Sequence, residues 1–337
     1  MKIYLVLLVV LLFMWELLSK QPDQLLHIVV CDVGQGDAIL LSLGYTQVLI
    51  DTGPDESVLT CLDDHLPFLD KKIDILVLTH FDDDHIGGFA SLTQIYAINY
   101  LFLPLSDYKD SKIYLELKEH LISLQKQGTV IKEPFLGQQV AFSEFSPVNQ
   151  AKYNSSNASL LLSFLTPFEL DLEESRQLEA AKVLFWQKPE SNLSVEDLEK
   201  MATKLSDNNG SIAIFAQFGE LKLLLLGDLE STRELALLRE GLITDIDIQK
   251  VGHHGSKTSS SLDFLQVTRP EIALISCGLD NQFGHPDARV LADLQAVNSQ
   301  IWRTDEMGTI EILSDGQKFW LKNKTQSFFK IVTKLLL

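Results

Sequence analysis

Residues 79–88 read Thr79-His80-Phe81-Asp82-Asp83-Asp84-His85-Ile86-Gly87-Gly88 and continue Ile75–Thr79, an apolar run of strand length. A short apolar run that stops at polar residues predicts a buried strand, and the periodicity that resumes at Ile86 predicts a helix over Ile86–Ala97. The cluster therefore sits where a strand ends and a helix begins. A turn there can aim alternate side chains at one place, and imidazole nitrogen and carboxylate oxygen are the donors that a borderline or hard dication takes. Gly87 and Gly88 let backbone and helix pack closely behind the turn.

The same arrangement recurs downstream. Asp228 closes the apolar run Leu221–Leu226, and His253-His254 follow Ile246–Val251. Five of the eight histidines (His80, His85, His253, His254 and His285) stand in such strand-end positions, which points to ligation. Taken singly, Asp228 reads as a turn former or helix cap; the company it keeps makes it a ligand candidate.

The rest of the chain builds the sheets that these turns punctuate. Leu26–Cys31, Ala38–Leu43 and Gln47–Ile50 are short β-rich runs separated by glycine-containing turns, the pattern of an antiparallel meander. Tyr100–Leu103 predicts another strand, Ser111–Gln127 a helix, and Ile212–Phe218 with Leu221–Leu226 a hairpin through Gly219-Glu220. Later strands at Ile246–Val251, Ile272–Ser276 and Thr309–Leu313 alternate with helical stretches near Ser260–Val267 and Asp287–Val297. Two halves of strands and helices predict an α/β fold of two sheets packed face to face with helices outside. Residues 168–207 carry ten acidic and five basic side chains, with helix-start signatures at Asp171 and Ser194, and read as an acidic helical insertion.

The 337 residues, 46% apolar and 22% charged, have globular composition, with 28 basic and 46 acidic side chains giving a net charge of -18. No basic strip is available to track a phosphate backbone, so any nucleic-acid function rests on the site and its bound metal charge. Cys31, Cys61 and Cys277 are too few and too irregularly spaced for a disulfide framework or a cysteine zinc site, and read as small buried hydrophobes. The apolar run Ile3–Leu18 follows Lys2 and lacks a small-residue cleavage site. It predicts a signal anchor over residues 1–22, or the core of a long signal peptide, with the domain outside the cytoplasm, ahead of a folded domain over 24–325 and a tail over 326–337.

On these motifs the chain resembles the metallo-β-lactamase superfamily, and within it the C-terminal domain of the ComEC competence DNA-uptake family. The matching features are Asp32-Val33-Gly34-Gln35-Gly36-Asp37, Asp51-Thr52-Gly53-Pro54, the His80–Gly88 run, Asn208-Asn209-Gly210-Ser211, Gly227-Asp228, His253-His254-Gly255-Ser256 and Gly284-His285-Pro286. The resemblance implies an αββα sandwich, two mixed β-sheets between helices, with a two-metal site at the sheet edges. It places His80 on a first metal and Asp84 and His85 on a second, with Asp228 bridging, one of His253 or His254 completing the second, and Asp51 holding the ligand loop. Asp84, Asp228 and His254 would be central to catalysis. Asp82 stands where a histidine is usual, and Asn208–Ser211 occupy the stretch of another expected histidine. Oxygen in place of nitrogen weakens the first site and admits manganese or magnesium beside zinc. The apolar N-terminus resembles the membrane segment that precedes this domain in the channel proteins, which implies a separate uptake channel as partner.

Two dications that activate water and clamp attacking and leaving oxygens suit phosphodiester hydrolysis, with DNA as the implied substrate. Asn209, Ser211, Ser256, Lys257, His285, Gln35 and Asp37 are the candidate substrate contacts. The alternatives are a hydrolase of a small phosphodiester or ester, such as a choline-phosphate ester or a lactone, and a non-catalytic membrane-attached module.

Overall fold

The computed structural model describes residues 21–67, 69–104, 112–142, 159–166 and 208–322, with Tyr4 and Met14, and the backbone alone at 112–116. The expected anchor, the acidic insertion over 168–207 and the tail lie outside the described residues. Among those described, no helix is long and apolar enough to cross a membrane.

Strands β1 (Leu26–Val30), β2 (Ile39–Leu43) and β3 (Thr46–Ile50) form the expected antiparallel meander, with Val30 opposite Ile39 and Ile39 opposite Ile50. Helix α1 (Ser57–His65) then crosses to β4 (Lys72–Val77), parallel to β3. After α2 (Asp83–Ile86) and α3 (Phe89–Ile95) come β5 (Ala97–Phe102), α4 (Lys112–Gln127) and β6 (Val130–Lys132), again parallel. The second sheet opens with β7 (Gln139–Ala141), β8 (Leu160–Phe164), β9 (Ile214–Phe218) and β10 (Leu221–Leu225), all antiparallel. Helix α5 (Ser231–Arg239), β11 (Ile248–Lys250), α6 (Leu262–Thr268), β12 (Ile272–Ile275), α7 (Ala288–Ala296) and β13 (Gln300–Arg303) continue it in parallel. Helix α8 (Thr304–Met307) leads back to the first sheet through β14 (Ile310–Ser314) and β15 (Phe319–Leu321). The strand orders are β15-β14-β1-β2-β3-β4-β5-β6 and β13-β12-β11-β10-β9-β8-β7.

Side-chain alternation explains why these sheets stack. Successive strand residues face opposite ways, so Ile28 and Val30 join Leu41, Val48, Ile75, Leu162, Ile214, Leu223 and Leu274 in a core between the two sheets. Val29, Leu40, Leu49 and Leu76 face outward beneath Val58, Leu62, Phe89 and Leu121 of the first helix layer. Leu224 and Ala273 do the same beneath Leu237, Phe264 and Leu294 of the second. The result is four layers, helix-sheet-sheet-helix, and each fully buried leucine or isoleucine contributes roughly 1.5–3 kcal/mol.

Two expectations are corrected. The helix expected over Ile86–Ala97 is broken at Gly87-Gly88, and Ala97 begins a strand. A Cβ at Gly87 would lie 2.0 Å from the Pro54 carbonyl oxygen and one at Gly88 2.3 Å from that of Thr52, so the loop before α1 presses into the break. The cysteines are not all free hydrophobes: Cys31, just past β1, is disulfide-bonded to Cys61 in α1, thirty residues on, and the free one is Cys277. Burial of all three is as expected.

Candidate metal centre

The parallel strands of both sheets deliver their C-terminal ends to one place. Thr79 and His80 follow β4, Asp228 follows β10 and His253-His254 follow β11. The Ile212 amide donates to the Thr79 carbonyl at 2.9 Å, which ties the two sheets together beside the cluster. Gly227, at φ 53°, makes the close turn that presents Asp228 against Ser211 and Thr79.

Three imidazoles are fixed by the same device. His85 Nδ1 donates to Asp51 Oδ2 at 2.8 Å and His254 Nδ1 donates to the Ser276 carbonyl at 2.8 Å. The Thr79 hydroxyl donates to Asp51 Oδ2 at 2.7 Å, so at 3.0 Å it accepts from His80 Nδ1. Each ring thereby keeps its proton on Nδ1 and turns Nε2 to the centre, the usual orientation of a metal-bound histidine whose other nitrogen is engaged. Asp51, fully buried, also accepts the Thr79 amide at 2.7 Å and so ties both ligand histidines to one carboxylate.

Asp228 stands between them. Its Oδ1 lies 3.3 Å from His85 Nε2 and 3.5 Å from His254 Nε2; its Oδ2 lies 3.7 Å from His80 Nε2. Asp84 Oδ2 reaches His254 Nε2 at 3.3 Å, and Asp82 Oδ2 reaches His80 Nε2 at 3.9 Å. Four groups of donors each converge within 4.8 Å among the described residues: His80/His85/Asp228, Asp84/His85/His254, Asp37/Asp51/His85 and Asp37/Asp228/His254.

Burial and neighbours set the charges. Burial and the adjacent His85 push the His80 imidazole down to about 4, so its Nε2 carries a lone pair at neutral pH. Burial opposes charge on His85 and His254, yet the surrounding carboxylates outweigh it, with Asp228 foremost; His85 is raised well above its usual range and His254 to about 9. Burial likewise opposes ionisation of Asp228, but His254 and His85 hold it well below the usual carboxylate range. The centre thus draws positive charge. His80 Nε2 and Asp228 Oδ1, both buried, lack a hydrogen-bond partner within the protein, which is the condition of donors awaiting a cation. A divalent metal fits these residues.

The expected substrate contacts divide. His285, half-buried, lies with its ring centre 5.7 Å from that of His253 and stacked on Phe283, while Lys257 is exposed at the rim. Gln35 accepts the Gly278 amide at 3.3 Å beside the same loops. Ser256 is buried and its hydroxyl pairs with Thr258. Three candidates turn inward. Ser211 is fully buried and accepts the Asp228 amide; Asn209 exchanges hydrogen bonds with Glu230; and Asp37 is buried against Lys250, whose Nζ lies 2.7 Å from it. Ser211 and Asn209 hold the site's walls through these bonds, while Asp37 keeps one buried oxygen, Oδ1, without a hydrogen-bond partner.

Lys250 was not anticipated. It is wholly buried beneath the centre, bonded to Asp37 and to the Val251 carbonyl, and it cancels the carboxylate that faces His254 Nδ1 at 3.4 Å. The signal in the sequence was a charged residue at the end of a strand, Lys250 between Gln249 and Val251, just ahead of the histidine pair.

Residues 31–119 match the family model of the metallo-beta-lactamase superfamily. The chain's relatives are more particular. The chain is 28% identical over 328 residues to ComE operon protein 3 of Bacillus subtilis, covering 89% of this chain and 34% of that protein. It is 24% identical over 296 residues to competence protein ComA of Neisseria gonorrhoeae (86% and 32%) and 24% over 285 residues to recombination protein 2 of Haemophilus influenzae (83% and 28%). The chain spans about a third of the length of these relatives. Among solved structures, the metallo-beta-lactamase fold protein YhfI of Bacillus subtilis aligns at 11% identity and TM-score 0.48, over 88% of this chain and 99% of that one.

Proposed function

We propose that this chain is a metal-dependent phosphodiesterase that hydrolyses DNA in the course of DNA uptake, held at the membrane by Ile3–Leu18 with its domain outside the cytoplasm. The observation that carries the reading is the placement of Asp228, one oxygen toward His85 and His254 and the other toward His80, with Asp82 and Asp84 supplying further oxygens. Such a donor set divides into two cation positions that share one carboxylate. Two dications supply an activated water and a clamp on the oxygens of a displacement at phosphorus. Oxygen donors at Asp82 and Asp84 suit manganese or magnesium as well as zinc.

The chain's own residues do the rest. Asp51 and the Ser276 carbonyl hold the imidazoles so that no reorganisation is needed during reaction, and the Lys250–Asp37 pair removes a competing carboxylate from the centre. Lys257 and His285 at the mouth offer donors to a phosphate. The net charge of -18 gives free DNA no long-range attraction, so strand delivery by a neighbouring uptake channel is part of the reading. The names of the competence relatives support that context. The Cys31–Cys61 disulfide supports an oxidising location, since such bonds persist outside the reducing cytosol.

The test incubates the detergent-solubilised full chain with single- and double-stranded DNA and with a phosphodiester dye, in manganese, magnesium or zinc. DNA cleavage that vanishes in Asp84→Ala supports the nuclease. Turnover of the dye with DNA intact under every metal would replace it by a small-substrate hydrolase. Protease added to intact cells should digest the domain; a protected soluble chain would reject the anchor and its topology.

A further inference from the structure

We propose that His253 is a ligand of the first cation, taking the place left by Asn208, while His254 serves the second. This rests on the reading of the centre as a two-cation site. It does not depend on DNA being the substrate.

Adjacent in sequence, the two histidines diverge in space. His254 Nε2 faces Asp228 Oδ1 and Asp84, whereas His253 Nε2 lies 3.8 Å from Asp228 Oδ2, the oxygen that also faces His80 Nε2 at 3.7 Å. Donors on one tetrahedral dication with bonds near 2.0–2.2 Å stand roughly 3.3–3.6 Å apart, so the two distances to Asp228 Oδ2 are within a few tenths of an ångström of that spacing, while His253 and His80, which do not belong to one converging group, would also have to draw together on binding. His80, Asp82, Asp228 and His253 then make four donors, matching the four of the second position: Asp84, His85, His254 and Asp228.

The surroundings of the ring point the same way. His253 Nδ1 faces Glu230 Oε1 at 3.8 Å, so this imidazole repeats the polarity of the other three, with an acceptor behind and Nε2 toward the centre. Glu230 is itself fixed by Asn209, whose amide donates to its Oε2 at 3.1 Å and whose carbonyl accepts its backbone N–H at 3.3 Å. The Asn208 amide nitrogen lies 3.3 Å from His253 Nδ1 and 3.2 Å from its Nε2, holding the ring in place, and would give up the Nε2 lone pair when a cation takes it. The Asn208-Asn209 pair thus supports a ligand that the other loop supplies.

The backbone shows what the divergence requires. His253 (φ 48°, ψ 46°) and His254 (φ 52°, ψ 22°) are both left-handed. That conformation is disfavoured for residues with a side chain, because Cβ crowds the following carbonyl oxygen. Two neighbouring side chains on a regular helix or strand cannot both reach one carboxylate from opposite sides; here the strained turn lets them. The His253 N–H donates to the Gly227 carbonyl at 3.1 Å, which keys the turn to the residue preceding Asp228.

The experiment counts ions without substrate. Full-length chain in detergent, stripped with chelator, is titrated with manganese by calorimetry and with cobalt by absorption, for wild type, His253→Ala, His254→Ala and Glu230→Gln, with melting curves of the stripped forms as a check on folding. Wild type should bind two ions of unequal affinity. His253→Ala should retain the tighter ion and weaken the other by at least roughly tenfold, with a changed cobalt spectrum; His254→Ala should do the reverse. Glu230→Gln leaves the imidazole in place and should weaken the same ion as His253→Ala, by a smaller factor; it carries the test alone should His253→Ala fail to fold. Two ions of wild-type affinity in His253→Ala, selective loss of the tighter one, loss of both from a folded chain, or a single ion in wild type would each overturn the assignment. A negative DNA assay would leave it standing.

Discussion

The two sides of the centre are built to different standards. On the side of Asp84, His85 and His254, both imidazoles are buried and each is hydrogen-bonded through Nδ1 to a fixed acceptor at 2.8 Å. On the side of His80, only that ring is so held; the Asp82 carboxylate is 43% exposed and His253 is 23% exposed with its acceptor at 3.8 Å. The difference teaches that affinity depends on the preparation of the donors as much as on their number. A cation on the deep side would meet donors already in place, whereas one on the open side would have to order them at a cost in conformational entropy.

The largest expected effect comes from the residue common to both sides. Asp228→Ala should remove both ions and lower hydrolysis of any substrate roughly a thousandfold, the several kcal/mol that a bound metal contributes. One ion retained at its original affinity in that variant would break the symmetry between the two oxygens. Next comes Asp51→Asn, which should weaken the deep ion ten- to a hundredfold because His85 loses its carboxylate acceptor. Equal weakening of the two ions would mean that the path through Thr79 to His80 matters as much as the direct bond.

A smaller change is expected from Asp82→His, which should move the open side toward zinc by several-fold in competition with manganese. An unchanged preference would remove Asp82 from the ligand set. A separate effect, on stability and not on the metal centre, concerns Glu234, buried under the loop that follows the histidine pair and accepting the Ser260 N–H at 2.8 and 3.0 Å. Burial, against that hydrogen bonding, pushes its carboxyl from 4.5 up to about 8. Between those values the folded chain holds a proton that the unfolded chain has released, so stability should fall as pH rises, by about 1.4 kcal/mol per pH unit. Glu234→Gln should flatten that slope in denaturant titrations at pH 5 to 8. A slope unchanged by the substitution would place the titration elsewhere.

Much of this was legible because a cluster of strand-end donors announces itself by chemistry and position. Ile75–Thr79 followed by His80 to His85 specifies both the strand and the turn, and β1 to β3 alternate clearly enough to be paired. What was not legible depends on approach between distant segments. Gly87-Gly88 break a helical pattern only because the carbonyls of Thr52 and Pro54 press against them. Cys31 finds Cys61 because α1, an element without a strong periodic signal, folds back over the first strand. His253 and His254 are chemically identical in the sequence, and only two left-handed residues in succession send them to different sides of Asp228.

The candidate ligands also come from both sheets: His80 and His85 from the first, Asp228 and His254 from the second. A bound cation would therefore be a rivet through the sandwich. Neither sheet alone presents the whole donor set, so metal uptake and closure of the inter-sheet core are thermodynamically linked. At a thousandfold excess over its dissociation constant, one ion should raise unfolding free energy by about 4 kcal/mol. Chelation would then soften the whole domain, and the melting temperature should track free metal concentration, a record of occupancy that requires no knowledge of the substrate.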